Sequence, residues 1–545
     1  MKKQMISLFL GTAMILGLMT GCGGAGKETH TADLSQTERA GESEGRDEVI
    51  ISISSEPDSL DPCMGWGHGT TPLVQSTLVE YKQDMSFRND LATEYHLSED
   101  GLVWTFKIRD DVKFTDGEAL TASDVVFTFN TAKSSQSSLD LTFMDKVEAP
   151  DDVTVIFTLK KPTSTFLNTV ATVGIVPEHA YDEDYGIHPI GSGPFKFVQW
   201  NKQEQLILEA NEDYYGTVPA MKKVIIVFQD EDAAFAAVKA GQVDIGLTAA
   251  TLATNEIEGY KVEAITTVDN RGLTLPTSPA EGKMTESGYP YGNDVTCHIE
   301  IRQALAYGID REMIADAALN GFATPCYSEN DGFPWNNPEV KIETDADYAK
   351  QLLADAGWAD TDGDGIVEMD GLKAEFTCLY PSGDSVRQAI AMAAAQQAKT
   401  LGILMNVEGT SWDDISKRMF SEAVCMGWGS SNPYTTYCLF HTDNMLKDDY
   451  YNPEGYSNPV VDEYLNGAME ALTVEEANKN WQLSQWDGTT GTAMKGDCPW
   501  VWLVNIQHLY YAREGLNIGE QQLHAHGSSM PLLQNLKDWT WEQEG

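Results

Sequence analysis

The stretch "LATEYHLSEDGLVWTFKIRDDVKFTDGEALTASDVVFTF", residues 91–129, contains two periodic patterns in succession. Trp104, Phe106 and Ile108 alternate with polar residues, which predicts a half-buried β-strand. Further on, Thr121 is a suitable N-cap for apolar residues at helical spacing. The stretch therefore predicts a strand, a turn and a capped helix within one small α/β unit.

Outward from this stretch, the chain repeats the alternation of strands and helices. Residues 231–247 predict a helix that stops at Gly241 and a strand after it. Residues 374–409 predict strand, helix and strand in the lengths of a right-handed crossover. An apolar strand at 423–427 precedes the loop "WGSSNPYTTY", residues 428–437. Because open α/β sheets bind ligands beyond the carboxyl ends of their strands, this loop is a candidate binding site.

The N-terminus has the pattern of an export signal. Lys2 and Lys3 precede an apolar run at 6–19 that is too short to span a bilayer. Met19, Thr20 and Gly21 lead from this run into Cys22, in a context that resembles the lipobox of bacterial lipoproteins. We therefore predict a lipoprotein signal peptide at 1–21, with the lipid on Cys22. The alternative is an ordinary signal peptide followed by a chance cysteine.

The segment after the signal is polar and aperiodic. Residues 22–47 are rich in Gly, Ser, Thr and charge, so they cannot form a hydrophobic core. We predict that they are a flexible tether between the lipid and a folded body that starts at Glu48.

Composition restricts the classes of partner. Among 545 residues, 36 Lys and Arg stand against 83 Asp and Glu, which gives a formal net charge of -47. This charge opposes binding to nucleic acid or to an anionic membrane surface. It serves either solubility outside the cell or attraction of a cationic ligand. Beyond Cys22 the chain has an odd number of cysteines without a CxxC pair, which argues against a full disulfide framework.

Four segments in order resemble extracellular solute-binding proteins of family 5, the peptide and nickel receptors of ABC importers. They are residues 91–129, 189–216, 301–325 and 348–365. The resemblance implies an α/β protein with two lobes joined by a hinge, a class II (cluster C) clamshell of the periplasmic-binding-protein type with an extra small subdomain. Closure over the ligand is what the membrane permease would recognise.

This resemblance also implies a division of the chain. Lobe I would comprise residues 48–270, with the subdomain inserted at about 81–187. Lobe II would comprise residues 271–499, and the C-terminal segment 500–545 would return to lobe I.

The loop after the strand at 423–427 is where the resemblance places ligand contacts. Peptide-binding members have a Trp there, followed by an Asp that pairs with the amino terminus of the ligand. Here Trp428 matches, but Ser430, Ser431 and Asn432 stand where the acid is expected. Tyr434 completes the predicted set. Neutral acceptors hydrogen-bond an ammonium with less electrostatic gain, and the alternative is that the loop is only a turn.

Other ligand contacts are predicted near the first strand and the lobe crossing. Trp66 offers an aromatic wall and His68 a titratable group. The planar guanidinium of Arg271 suits a carboxylate, or else forms an interlobe salt bridge. Nickel receptors commonly use one His, so His68 and His441 are candidate metal ligands; hydrogen-bonding or surface roles are the alternative for both.

Two further motifs suggest metal binding. The turn "DTDGDGIVEMDG", residues 360–371, has Asp at three alternate positions before Gly365, as calcium loops do. Its twelfth position is Gly371, where such loops need a bidentate Glu, so we expect an acidic hairpin, with calcium as the alternative. His524 and His526 form a weaker metal pattern that exposed C-terminal polarity explains as well.

Two rival functions remain. The first is a secreted hydrolase, but the chain has neither a GxSxG elbow nor an HExxH motif to support it. A sensory lipoprotein would use the same clamshell to report a ligand without importing it. We predict a non-enzymatic, cofactor-free binding protein, lipid-anchored on the extracytoplasmic face, that delivers peptides to an ABC permease. The alternative ligand is a nickel chelate, and nucleic acid is not an expected partner.

Overall fold

A computed structural model describes residues 46–66, 72–135, 139–447, 450–526 and 530–542. The predicted signal peptide, Cys22 with the tether up to residue 45, and His68 lie outside these described residues. In the described part of the chain, no helix has both the length and the apolar character needed to cross a membrane.

The strands and helices follow one another along nearly the whole described chain. The strands, in chain order, are β1 (Glu48–Ile53), β2 (Val79–Tyr81), β3 (Phe87–Asn89), β4 (Ala92–Leu97), β5 (Val103–Ile108), β6 (Met144–Asp151), β7 (Thr154–Leu159), β8 (Phe195–Asn201), β9 (Gln205–Ala210), β10 (Lys223–Phe228), β11 (Ile245–Thr248), β12 (Tyr260–Ile265), β13 (Asn270–Thr274), β14 (Ala323–Pro325), β15 (Glu368–Met369), β16 (Leu372–Lys373), β17 (Glu375–Pro381), β18 (Leu404–Thr410), β19 (Ala423–Met426), β20 (Trp500–Ile506), β21 (His508–Arg513), β22 (Leu516–Asn517) and β23 (Thr540–Trp541). The α-helices are α1 (Ala122–Ser134), α2 (Phe166–Val170), α3 (Glu231–Lys239), α4 (Ile299–Gly308), α5 (Arg311–Leu319), α6 (Ala346–Asp355), α7 (Ser385–Thr400), α8 (Trp412–Arg418), α9 (Tyr434–Phe440), α10 (Pro459–Glu470) and α11 (Val474–Gln485). Short 3-10 helices lie at Pro62–Met64, Glu178–Ala180, Pro338–Val340, Thr442–Asn444, Met530–Leu533 and Leu536–Asp538.

Three sheets organise these elements. The first has seven strands in the order β12-β21-β11-β1-β10-β9-β8, with β1 parallel to both of its neighbours. The second has six strands in the order β14-β20-β13-β19-β17-β18. The third is a four-stranded antiparallel sheet, β4-β5-β7-β6. Each sheet has a hydrophobic core of its own, because the apolar face of a sheet must be covered by another layer of structure.

The local predictions for the four-stranded sheet are confirmed. In β5, Trp104, Phe106 and Ile108 are buried while the residues between them are half-buried. Helix α1 follows at Ala122, and the backbone N–H of Thr121 donates to the Asp124 carboxylate at 2.8 Å. Helix α1 packs against β6 and β7. The segment with alternating apolar residues therefore forms a strand of the sheet, and the segment with helical spacing forms the helix that covers it.

The predicted crossover in the six-stranded sheet is also present. β17 and β18 are parallel neighbours joined by α7, and β19 lies parallel to β17 on its other side. Parallel strands need a connection long enough to return to the same edge, which α7 provides. The loop expected at 428–437 is shorter than predicted, because α9 begins at Tyr434. Its start is stabilised by the side chain of Asn432, whose Oδ1 accepts a hydrogen bond from Tyr434 N at 3.0 Å.

The chain passes between the two large sheets at two adjacent places within its described part. The first is residues 266–269, between β12 and β13, and the second is Gln507, between β20 and β21. We call them the first and the second crossover segment, and together they are the hinge. The end of β20, directly before Gln507, is hydrogen-bonded to the first segment, since Ile506 N donates to Asp269 O at 2.9 Å. Two short adjacent connections of this kind form a natural hinge.

The sheets place two boundaries differently from the sequence-based expectation. β20 pairs with β13 and β14 of the six-stranded sheet, so the chain returns to the first sheet at His508 and not at residue 500. Arg46, expected in the tether, pairs with the Asp244 carboxylate at 2.7 Å and belongs to the folded body. We propose lobes of 46–265 with 508–542, and of 270–506. The inserted subdomain at about 81–187 stays a proposal.

Candidate functional site

A cavity of about 690 Å³ lies between the small antiparallel sheet and the six-stranded sheet. One wall is built from residues 139–172, which include β7, α2 and the segments around them. The other wall is built from residues 430–437, with Tyr451 and Met469 beside them. Its volume lies in the range of roughly 300–1,000 Å³ that is typical of small-molecule sites.

Hydrogen bonds attach the loop after β19 to the start of β13, directly after the first crossover segment. Trp428 N donates to the side-chain oxygen of Asn270 at 2.8 Å, and Asn270 N donates to Trp428 O at 3.0 Å. Gly429 has φ of +141°, and a Cβ at this position would lie 2.0 Å from Val268 O. Only glycine fits there, so the chain of the loop lies directly against the hinge.

The polar residues of this loop partly serve its own geometry. Ser430 Oγ accepts a hydrogen bond from Asn432 N at 3.1 Å, and Asn432 Oδ1 accepts one from Tyr434 N. Ser430, Ser431, Asn432 and Tyr434 all line the cavity, so the structure brings together four residues of the predicted set. The prediction that the segment faces a cleft and the alternative that it is a turn therefore both describe part of it.

Tyr434, Tyr437 and Tyr451 line this side of the cavity, and they belong to two separate stacks of aromatic rings. Trp428 stacks on Tyr451 with centroids 4.7 Å apart and an interplanar angle of 18°. Tyr434 stacks on Tyr437 at 5.8 Å, and Tyr437 stacks on His441 at 4.4 Å. Such faces contact apolar side chains and peptide planes without demanding one particular ligand shape. The Trp428 indole N–H is buried and has no acceptor among the described residues.

The opposite wall supplies charges. Asp140, Lys160 and Lys161 line the cavity from the segments directly before β6 and directly after β7. The Asp140 carboxylate accepts hydrogen bonds from Thr142 N at 2.9 Å and from Thr142 Oγ1 at 2.6 Å. Its other oxygen accepts the Tyr434 hydroxyl at 3.3 Å, across the cavity. Burial raises the pKa of Tyr434, and neighbouring Cys438 and Asp140 raise it further, so this hydroxyl remains a donor.

The other predicted contacts lie away from these lining residues. Trp66 is buried in the core of the seven-stranded sheet. His441 is 5% exposed, and its Nδ1 accepts a hydrogen bond from Asp443 N at 3.1 Å while Nε2 lies 3.1 Å from Asn466 Nδ2. Both ring nitrogens of His441 are thus engaged within the protein.

Arg271 lies in β13, directly after the hinge, and not at the cavity. It forms a buried ion pair with Asp269, and its Nη1 also donates to Asn270 O at 2.8 Å. The Asp269 carboxylate also contacts His526 Nδ1 at 2.6 Å and His508 Nε2 at 3.1 Å. Burial alone would raise the pKa of Asp269, but Arg271 and His526 hold it well below its usual range. Arg271 thus forms a salt bridge, but its partner is Asp269, two residues away in the chain, and not a residue of the other lobe as the alternative expected.

His524 does not have the exposed position that its sequence context suggested, whereas His526 is partly exposed. His524 is completely buried beside the first crossover segment, where Val268 N donates to His524 O at 2.9 Å. Its Nδ1 lies 3.1 Å from His508 Nδ1. Burial, together with His508, lowers the pKa of His524 to about 3, so the ring is neutral. The segment folds back onto the hinge because it pairs with residues 266–268 there.

Sequence reasoning missed the charged and aromatic residues that come from elsewhere in the chain. Asp140 and Tyr451 are far in sequence from the loop at 428–433, and no local pattern links them to it. The pair Lys160-Lys161 directly after β7 was a usable signal, because side chains at strand ends are placed to meet ligands.

Two α/β lobes with separate cores, a double crossover and a cavity beside the hinge define a two-lobed binding protein of the periplasmic type. Comparison with known proteins identifies the family. Residues 86–445 match the model of "Bacterial extracellular solute-binding proteins, family 5 Middle". The chain belongs to this family.

Three similar proteins illustrate the relationship. Protein XP55 of Streptomyces lividans is 32% identical over 491 residues, covering 86% of this chain and 85% of that protein. The oligopeptide-binding protein AppA of Bacillus subtilis is 29% identical, covering 88% and 91% respectively. The crystal structure of NikZ from Campylobacter jejuni in complex with Ni(L-His) has a TM-score of 0.74 at 25% identity, covering 91% of this chain and 99% of that one.

Proposed function

We propose that this chain is the ligand-binding component of an ABC importer and that it captures short peptides or related zwitterions. The cavity that holds both Asp140 and a lysine pair is the observation that carries this proposal. A free peptide has one ammonium and one carboxylate, and each finds a group of opposite charge on the same wall. The relationship to an oligopeptide-binding protein supports the same ligand class.

Asp140 is the proposed partner of the ligand ammonium. It occupies the role that the resemblance assigned to an acid in the loop after β19, but it comes from the opposite wall. Its Oδ2 is held only by the Tyr434 hydroxyl at 3.3 Å among the hydrogen bonds described for that atom. A charged hydrogen bond of the ammonium–carboxylate type is about twice as strong as the neutral bond it would join or replace.

Lys160 and Lys161 are the proposed partners of the ligand carboxylate. Both side chains are exposed at the cavity, and Lys160 Nζ also donates to Thr142 O at 2.6 Å. Lysine binds anions as a point charge on a flexible stem, so these residues tolerate ligands of different length. The aromatic face of Tyr434, Tyr437 and Tyr451 then contacts the ligand between its charged ends.

The test is a titration of the purified protein with a tripeptide, its N-acetylated form and its C-amidated form. The proposal expects measurable binding of the free tripeptide and a large loss of affinity on acetylation, with a smaller loss on amidation. Equal affinity for all three forms would contradict the assigned charges. Mass spectrometry and elemental analysis of material released by denaturation identify any ligand that copurifies.

A nickel chelate is the second candidate ligand, because the similar NikZ structure was solved with Ni(L-His). No histidine is among the described residues that line the cavity. His441 is engaged with Asp443 and Asn466, and His68 lies outside the described residues. Stoichiometric nickel in the elemental analysis, lost in His68→Ala, would favour this candidate over peptides.

The remaining features of the proposal concern location and chemistry. The chain is proposed to be anchored by a lipid on Cys22 after cleavage of residues 1–21, with a tether that lets the folded body reach the permease. Metabolic labelling with a fatty acid, compared between the parent and Cys22→Ala, tests the anchor. The protein is proposed to bind and release its ligand without bond cleavage, so incubated peptides should be recovered intact.

A further inference from the structure

The acidic turn that follows α6 gathers four carboxylates outside the cavity. Asp360, Asp362, Asp364 and Glu368 each contribute one oxygen, and these oxygens all lie within 4.8 Å of one another. Calcium binds oxygen at about 2.4 Å, so two ligands on opposite sides of one ion are about 4.8 Å apart. The four oxygens therefore fit around a single calcium ion.

Backbone donors hold the aspartates in place. Asp360 accepts Gly363 N at 2.7 Å and Gly365 N at 3.0 Å. Asp362 and Asp364 each accept one further backbone N–H, through their Oδ1 atoms. Their Oδ2 atoms point to a different neighbour, the Lys373 ammonium. The turn thus fixes the carboxylates but leaves one oxygen of each of these two for a cation.

Glu368 provides a second, independent observation that points to a cation. Its side chain is 7% exposed, and Oε2 accepts Thr361 N at 2.9 Å and Thr361 Oγ1 at 3.1 Å. Oε1 is buried and has no hydrogen-bond donor within the described part of the chain. The nearest cation is Lys373 Nζ at 3.7 Å, beyond hydrogen-bond distance. A buried carboxylate oxygen without a donor is costly, and a bound metal ion would compensate it.

Lys373 is the group that a metal ion would replace. Its ammonium lies 2.9 Å from Asp362 Oδ2, is hydrogen-bonded to Asp364, and stands 3.7 Å from Glu368 Oε1. One ammonium balances only one of the four negative charges. The Lys373 side chain is 39% exposed on a flexible stem, so it can move into solvent at little cost.

We propose that Asp360, Asp362, Asp364 and Glu368 form a calcium site, with Glu368 at the ninth position of the turn supplying the carboxylate that Gly371 at the twelfth does not. The site is separate from the proposed peptide cavity and is independent of it. It is expected to select Ca²⁺ over Mg²⁺, because opposite oxygens around magnesium are only about 4.1 Å apart and its octahedral geometry is strict. Calcium bound there would stabilise the turn between α6 and β17.

The test is isothermal titration of the purified, EDTA-treated protein with CaCl₂ and, separately, with MgCl₂. The expected result is one Ca²⁺ per chain, with a Kd of about 10⁻⁴ to 10⁻³ M as in extracellular calcium modules, and weaker binding of Mg²⁺. Glu368→Gln should weaken Ca²⁺ binding by about tenfold or more. Lys373→Met should strengthen it, because the competing ammonium is gone.

Controls separate a site from the general attraction of Ca²⁺ to a chain of net charge -47. Glu375→Gln removes one negative charge nearby on β17, outside the four-carboxylate group, and should leave Ca²⁺ affinity unchanged. Circular dichroism verifies that each variant is folded. Absence of Ca²⁺ binding in both the parent and Lys373→Met overturns the proposal, as does an equal loss in Glu368→Gln and Glu375→Gln.

Discussion

The Tyr434 hydroxyl donates to Asp140 Oδ2 at 3.3 Å, across the cavity. The two residues are 294 positions apart in the sequence. This bond joins α9 to the segment that precedes β6 of the small antiparallel sheet. It is long for an O–H to carboxylate hydrogen bond and is therefore weak. A ligand ammonium that binds Asp140 would add to this contact or replace it.

Asp140→Asn should weaken binding of a free tripeptide by about tenfold, because a charged hydrogen bond is exchanged for a neutral one. It should have little effect on the N-acetylated tripeptide, which carries no ammonium. Titration calorimetry of both ligands measures the difference. The control is Asp145→Asn, an exposed carboxylate of β6 outside the cavity lining, which should change neither affinity. An equal loss for both peptides in Asp140→Asn would mean that the residue acts on the cavity's shape.

Gly429→Ala should destabilise the protein by more than about 3 kcal/mol, since its Cβ would meet Val268 O at 2.0 Å where both backbones are fixed. Urea unfolding measures the change. Gly259→Ala is the matched control, because its φ of +77° is also positive but nothing lies within 4 Å of the added Cβ. That variant should lose only about 1 kcal/mol of stability, which is the cost of backbone strain at a positive φ. Similar losses in the two variants would argue against a tight contact between loop and hinge.

His524 should make the folded state less stable in acid. Its pKa falls from 6.5 to about 3 on folding, so only the unfolded chain takes up this proton between those values. The stabilisation that it gives is complete above pH 6.5 and is lost as the pH falls towards 3, by about 1.4 kcal/mol per pH unit. His524→Gln should therefore lose less stability than the parent between pH 6.5 and pH 4.5.

Urea unfolding at both pH values, with the difference taken between parent and variant, isolates this contribution from that of other groups. His96→Gln alters an exposed histidine of β4 and should show the parent's pH dependence. The same slope in all three proteins would show that His524 is not held neutral.

Glu454 should have the opposite pH dependence. Burial raises its pKa to about 8, and its Oε1 accepts the Trp500 indole N–H at 2.9 Å. The unfolded chain loses this proton near pH 4.5 while the folded chain keeps it, so the protein loses stability as the pH rises from 4.5 to 8. Glu454→Gln keeps the acceptor and cannot ionise. Its stability relative to the parent should rise by up to about 3 kcal/mol between pH 5 and pH 8.

Denaturant unfolding of the two proteins across this pH range tests the expectation. Glu463→Gln, at an exposed position of α10, is the control and should follow the parent. A constant difference between Glu454→Gln and the parent would indicate that Glu454 is ionised in the folded state.

Local structure was predictable where neighbouring residues determine it. The alternation in β5, the helix and strand of α3 and β11, and the β17-α7-β18 crossover depend on periodicity and capping within short segments. The position of Ser430, Ser431, Asn432 and Tyr434 at a cavity followed from their place beyond a strand end. By contrast, the apolar strand β20 was assigned to the wrong sheet, because both of its faces are buried and its pattern does not distinguish one partner from another.

The sequence by itself thus determined several of the strands and helices, the resemblance to a solute-binding family and the loop that contributes to the cavity. Only the tertiary structure decided which charge faces that loop, that His524 is buried beside the hinge, and that Glu368 has an oxygen without a donor. The physical reason is that periodicity and capping act over a few residues, whereas electrostatic environment and burial depend on how separate sheets pack. Asp140 and Tyr434 carry no mutual signal until the fold brings their walls together.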